Sequence, residues 1–425
     1  MINKNDFLIG AGTASHQVEG NNTKNDIWAL ENMKYGGYPQ KSGDAANHYK
    51  LYRDDIKKMK DAGLNAYRFS LEWSRIEPVE GVFDQNEIEH YRDMIHACKE
   101  NGIEPIVTLF HFTSPKWLIE RCGWESREVI AYFERYVEYV SKAFIKEDLR
   151  YICTINEANI GVLIAKYIRD IISKNQKSQE NGALQIGLDL DLMSKNESER
   201  IKENLKVFNV GEPAVFVSPR SKQGIEIVIE AHKHGVQKIR SILPECKVGL
   251  SLSLRDIQYD EEGKANAEDA WNEEFGQFLD AFKDDDFFGL QNYTRTIFGI
   301  NGELAPGEDK EKTQMGYEFY PQGLENVIRK VSKVYKNDIL ITENGIATTD
   351  DSRRMEFIKQ ALEGVERCLD DHIPVVGYLY WSLIDNYEWQ SGYSMKFGLL
   401  HMDQDHTVKE SLNYLGTWKE LFSKK

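Results

Sequence analysis

The amino-acid sequence predicts an α/β fold, a single (β/α)8 TIM barrel with elaborated rim loops. Two observations predict it. Eight short β-type runs alternate with amphipathic helical stretches along all 425 residues, and strands separated by helices pair in parallel, because a parallel connection needs a crossover. The rival, an open doubly wound sheet, would carry a nucleotide fingerprint in its first turn. Here Gly10-Ala11-Gly12 runs into Thr13-Ala14-Ser15 without the closing glycine of GxGxxG, and no GxxxxGK[ST] phosphate loop occurs. No Pro/Ser-rich linker and no internal repeat cuts the chain, so one barrel over residues 1–425 is expected.

The elements follow in order. Phe7–Ala11 is the first β-type run, and Tyr52, Ile56 and Met59 mark the helix after it by their i, i+4, i+7 spacing. Ala66–Ser70 is the second strand. A helix stopping at Asn101-Gly102 precedes the third, Pro105–Leu109. A stripe of Ile130, Phe133, Val137, Val140 and Phe144 leads to the fourth, Tyr151–Ile155. A helix near Gly224–Leu243 precedes Lys247–Leu252, and a shorter one around Trp271–Phe282 precedes Phe287–Gln291. Leu324, Val327, Ile328, Val331, Val334 and Tyr335 form the cleanest helix face before Asp338–Thr342; Arg354–Asp371 then precedes Val375–Trp381. Tyr167–Gly224 is polar and poorly periodic, which suits an insertion of about 167–224 on the barrel rim.

Composition excludes several functions. With 53 Lys+Arg against 69 Asp+Glu the net charge is −16, which disfavours nucleic-acid phosphate as a partner. No run of 18 apolar residues exists and the N-terminal stretch lacks a signal-type apolar region, so a cytoplasmic chain without membrane attachment is expected. The five cysteines are odd in number, widely spaced and free of CxxC pairs, which fits incidental thiols. His232-Lys233-His234 sits on a helix that turns the two rings apart, and no HExxH occurs, so no metal and no cofactor are expected.

Barrel chemistry sits at the C-terminal ends of strands. In order those ends carry Gln17, Arg68, His111, Asn156-Glu157, Asn292-Tyr293, Glu343, and Trp381 with Glu388-Trp389. Amides, carboxylates and imidazole bind hydroxyls, and indole faces take the C–H face of a pyranose. Two carboxylates at the ends of the fourth and seventh strands are the pair that glycosidic cleavage requires.

Five ordered segments carry a resemblance: Phe7–Gly20; Asn65–Ser70 with Trp73–Ile76; His111–Leu118; Ile341–Gly345; and Trp381–Trp389 with Gly392-Tyr393 and Phe397–Leu399. With them the chain resembles the β-glycosidases of glycoside hydrolase family 1 over essentially its whole length. Thr154–Asn159 resembles the acid/base motif, with Ala158 where the family has proline; Lys396 stands where Arg is common, and the segment from Ile160 to about His232 departs from the pattern.

The resemblance implies that Glu343 is the nucleophile and Glu157 the acid/base. It implies that Asn156 holds the sugar 2-OH, and that Gln17, His111, Glu388 and Trp389 bind the 3-, 4- and 6-hydroxyls over a Trp381 floor. Tyr293 and Arg68 would contact Glu343 and keep it ionised, with Asn292 in a supporting place. The expected activity is retaining hydrolysis of O-linked β-D-glycosides, glucoside or galactoside, with carboxyl groups about 5–5.5 Å apart. An acidic Glu388 should repel phosphate, which favours a non-phosphorylated glycone. The partner expected is a small-molecule β-glycoside or oligosaccharide. The alternatives are a 6-phospho-β-glycosidase or transglycosidase of the same fold, and a non-catalytic carbohydrate-binding barrel.

Overall fold

The computed structural model describes residues 6–174 and 196–424. Their strands are β1 (Leu8–Gly12), β2 (Ala66–Ser70), β3 (Glu104–Phe110), β4 (Tyr151–Ile155), β5 (Lys247–Gly249), β6 (Ser251–Ser253), β7 (Asp256–Tyr259), β8 (Phe287–Gln291), β9 (Arg295–Gly299), β10 (Gly302–Leu304), β11 (Asp338–Asn344) and β12 (Val375–Trp381). Nine of them form one parallel sheet in the order β5-β4-β3-β2-β1-β12-β11-β8-β6. Its two ends, β5 and β6, are consecutive pieces of one run parted by Leu250; β5 pairs with β4, and β6 with β8. The Leu250 carbonyl accepts from Gly289 N at 2.8 Å, so the sheet closes on itself as a nearly complete barrel. Closure demands a bare backbone at this seam: a Cβ on Gly249 would lie 2.1 Å from the Phe287 carbonyl oxygen.

The expected strands are therefore present, with two corrections. The fifth is broken at Leu250, and β10-β9-β7 form a small second sheet that the strand count missed. Its strands are only three to five residues long, too short for a periodic apolar pattern to mark them.

Helices cover the outside of the barrel. His48–Asp61, Gln85–Glu100, Glu128–Ala143, Lys222–Ile242, Gly323–Ser332 and Asp351–Asp370 fall where the apolar stripes put them. Side chains cap three of them: Asp84 accepts from Asn86 N, Ser221 from Gly224 N, and Asp350 from Ser352 N and Arg353 N. The segment expected as one helix over Trp271–Phe282 is instead Lys264–Glu274 followed by short turns. No described helix is long and apolar enough to cross a membrane.

The rim segment is partly regular. Helix Ile160–Lys174 enters it and helix Glu197–Phe208 leaves it; residues 175–195 of the expected insertion lie outside the described residues. Glu203 accepts from Lys34 N and Tyr35 N, and Ala214 O accepts from Trp124 N. Phe216 packs edge-on against Phe110 and Trp124, so the far half of the segment supports the loop that carries His111.

Candidate active site

Side chains on a strand alternate between faces, so inward positions recur every second residue. At the lower end of the barrel these positions are apolar: Leu8, Ala66, Ile106, Tyr151, Phe287, Leu340 and Val376 share one buried cluster. Two residues on, Ala66 gives way to Arg68 and Ile106 to Thr108; four residues on, Phe287 gives way to Gln291. One register thus builds a dry plug below and a polar floor above. Arg68 is 1% exposed and survives there because every side of its guanidinium is used. Nε donates to Thr108 Oγ1 (2.9 Å), Nη1 to Glu343 Oε1 (2.6 Å), and Nη2 to Asn156 Oδ1.

Two carboxyls face this floor. Tyr293 Oη donates to Glu343 Oε2 at 2.6 Å, opposite the Arg68 bond. Glu157 follows β4 and is equally buried, its backbone N–H bonded to Ser251 Oγ at 3.1 Å. Burial pushes both carboxyls up from their ordinary range. Arg68 and Tyr293 pull Glu343 back down, whereas the charge on Glu343 pushes Glu157 further up, well above that range. Of the two, Glu157 is the carboxyl pushed further toward its protonated form. The expectation that Arg68 and Tyr293 hold Glu343 ionised needs refinement: both favour the anion, but burial outweighs them and its net shift is upward.

The remaining expected residues form one wall. Arg68 can only donate, so the Asn156 atom facing it is oxygen; Gln291 Nε2 (2.8 Å) and Ser251 Oγ (3.1 Å) donate to the same atom. Asn156 Nδ2 then donates to His111 Nε2 at 3.2 Å. Burial and the Arg68 charge hold the His111 imidazole neutral, which puts its proton on Nδ1. Gln17 Nε2 donates to Tyr387 O (2.9 Å), Asn386 Oδ1 and Glu388 Oε2 (3.2 Å each). Among the described residues Gln17 Oε1, His111 Nδ1 and Glu157 Oε2 have no hydrogen-bond partner. One face thus offers an acceptor, a donor and a carboxyl oxygen, the requirement of a polyol. Rings line it as well: His111 stacks on Trp381 at 5.6 Å and on Trp389 at 6.3 Å, and His16 stacks on Trp389 at 6.0 Å. Phe112, Glu157 and Trp389 all have positive φ (72°, 43° and 48°), strain that packing must over-determine and that gathers at functional sites.

The family model described as Glycosyl hydrolase family 1 matches residues 2–204 and 286–422. The chain belongs to glycosyl hydrolase family 1. Within it, β-glucosidase A of Acetivibrio thermocellus is 28% identical over 449 residues, covering 97% of this chain and 96% of that relative. The cytosolic β-glucosidase of Homo sapiens is 27% identical over 455 residues, covering 96% and 95%. Among solved structures, β-glycosidase BGL167 superposes with a TM-score of 0.87 at 35% identity, covering 98% of this chain and 97% of that one. A β-glycosidase from Pyrococcus horikoshii gives 0.78 at 32% identity, covering 97% and 94%.

Against that family pattern the departures acquire physical meaning. Ala158 N–H donates to Ser251 O at 3.0 Å, a bond that proline cannot make, so the turn after β4 is tied down by another device. Lys396 lines a surface groove with Asp351, Asp385, His401 and Asp403. Asn292 braces loops, its Nδ2 donating to Leu254 O (2.8 Å) and Thr294 O (3.0 Å), and the preceding Gln291 is what reaches Asn156. Glu388 departs from the expectation. Burial, then the Glu343 charge, push its carboxyl up to about 8, so near neutrality it is mostly protonated rather than a fixed negative charge. Sequence reasoning also passed over Ser251, His16 and Tyr317; burial pushes the Tyr317 phenol well up, and the Glu388 and Glu157 carboxyls near it push the same way when ionised. His232 and His234 do diverge, to Thr154 Oγ1 (2.7 Å) and Glu134 (2.8 Å) respectively.

Proposed function

We propose that this glycoside hydrolase is a retaining β-glycosidase acting on O-linked β-D-glycosides with a non-phosphorylated glycone. The observation that carries the reading is the asymmetric carboxyl pair. Glu343 is gripped by a cation and a phenol that favour its anion, while Glu157 is pushed further toward its protonated form and keeps an unpaired oxygen. In the first step Glu343 attacks C1 as Glu157 gives its proton to the leaving oxygen; in the second, Glu157 takes a proton from water, the hydroxyl attacks C1, and Glu343 leaves. Asn156, His111, Gln17 and Glu388 bind the hydroxyls, with Trp381 beneath the ring.

The non-phosphorylated glycone now rests on the donors rather than on the charge of Glu388. A phosphate dianion needs cations, and Arg68 is committed to Glu343. The test is a panel of p-nitrophenyl β-D-glycosides, phosphorylated and not, with product anomers read by NMR. Turnover of the neutral glucoside or galactoside with net retention is expected; preference for the 6-phosphates, inversion, or an inert wild type would overturn it.

Arg68→Met supplies a pH test. A neighbouring cation lowers a carboxyl pKa, so its removal raises that of Glu343. The acid limb of kcat/KM is expected to move to higher pH by about 1–3 units. An unmoved limb in a folded variant would contradict the assigned role.

A further inference from the structure

One buried cluster decides which way the Asn156 amide points. Arg68 Nη2, Gln291 Nε2 (2.8 Å) and Ser251 Oγ (3.1 Å) all donate to Asn156 Oδ1, and all four side chains are buried. Reversing the amide would set its NH2 against a guanidinium and a second NH2, donor against donor. The same logic fixes Gln291, because only its NH2 can face that oxygen. Ser251 is used up in turn: its hydrogen goes to Asn156, and its oxygen accepts from Glu157 N at 3.1 Å and from Gln291 Nε2 at 3.2 Å. Register holds Gln291 in place, since β8 runs between β11 and β6 and sets Gln291 abreast of Glu343 on one side and Ser253 on the other.

We propose that Gln291 is a positioning residue for recognition of the glycone at C2: with Ser251 it locks the Asn156 amide so that its NH2, and not its oxygen, is offered to the 2-hydroxyl. The inference rests on the reading above in which Asn156 binds a glycone hydroxyl. An amide nitrogen has two hydrogens; among the described residues His111 Nε2 takes one, at 3.2 Å, and the other is offered to the sugar. The hydroxyl concerned is that on C2, because the two amino groups of the Arg68 guanidinium hold Asn156 Oδ1 and Glu343 Oε1 side by side. The amide thus lies next to the carboxylate that attacks C1, and C2 is the neighbouring carbon that bears a hydroxyl. Hydrogen bonds to the 2-hydroxyl strengthen in the transition state, so an amide oriented beforehand contributes to kcat as well as to binding.

The test compares wild type, Gln291→Met and Asn156→Ala on p-nitrophenyl β-D-glucoside, its 2-deoxy analogue and its 6-deoxy analogue, with Tm as a control. Met keeps the length of Gln and removes the donor. Gln291→Met should cut kcat/KM for the glucoside about tenfold, mostly in kcat, and leave the 2-deoxy analogue within about twofold. The 6-deoxy analogue keeps its 2-hydroxyl and should fall with the glucoside. Asn156→Ala should show the same selectivity with a larger loss. If Gln291→Met fails to fold, Gln291→Leu carries the same expectation. Equal losses on all three substrates, or unchanged kinetics in a folded Gln291 variant, would overturn the positioning role, since a merely distorted pocket does not single out the 2-hydroxyl. If Asn156→Ala is selective and Gln291→Met is not, the reading of Asn156 stands without Gln291; if neither is selective, that reading falls as well. A wild type inert on all three substrates would instead overturn the functional reading beneath both.

Discussion

Glu343→Gln is expected to lower kcat for aryl β-glucosides by roughly 10⁴–10⁶-fold, the scale on which loss of a covalent nucleophile is felt. The amide has the shape of the carboxylate but cannot form the glycosyl ester. The amide oxygen can take the Arg68 Nη1 bond while the amide NH2 faces the Tyr293 hydroxyl oxygen, which can accept, and Arg68 keeps Asn156 and Thr108, so the floor should stay assembled. A folded protein that retains sugar affinity with no turnover is therefore the expected outcome, measured by initial rates and by ligand titration. Residual activity within tenfold of wild type would remove Glu343 from the reaction. A wild type already inert but sugar-binding would leave a carbohydrate-binding barrel.

Glu157→Ala should separate the two chemical steps. Without the acid, glycosides with poor leaving groups lose about 10²–10⁴-fold in kcat/KM, whereas a dinitrophenyl glycoside, whose phenolate leaves unaided, loses far less. Its second step then stalls, because no base activates water. Azide needs no deprotonation and can occupy the space of the removed carboxyl. It should restore turnover and release a β-glycosyl azide, identifiable by NMR. Equal loss on both classes of leaving group, with no azide response, would contradict the acid/base assignment.

Much of the barrel was legible because its strands are apolar runs and its helices carry apolar stripes. The residues at the strand ends were legible because carboxylates, amides and indoles are conspicuous there. What escaped notice lacks those signals. β7, β9 and β10 are too short for a periodic apolar pattern to mark them. Ser251 is small and uncharged, and it follows the break at Leu250, after which β6 pairs with β8 and bonds the turn that carries Glu157. Gln291 was overlooked beside Asn292, and only the register of β8 distinguishes the inward residue from the bracing one. Tyr317 lies on a loop that no strand end announces. The protonation of Glu388 could not be read at all, since it follows from burial beside Glu343.

Ala158 shows why a motif departure has to be judged in three dimensions. Proline would stiffen the turn through its ring; alanine leaves an N–H, and the Ser251 carbonyl takes it. The turn that carries Glu157 is thus held by a hydrogen bond to a neighbouring strand instead of by a fixed φ.

The most direct test of the account is to trap the covalent intermediate. A 2,4-dinitrophenyl 2-deoxy-2-fluoro-β-D-glucoside forms the glycosyl ester quickly and releases it slowly, because fluorine destabilises both transition states and the good leaving group spares the first. Mass spectrometry of the digested protein should find one added fluoroglucosyl group on the peptide bearing Glu343. Label on any other residue, or full turnover without label by an active enzyme, would contradict it.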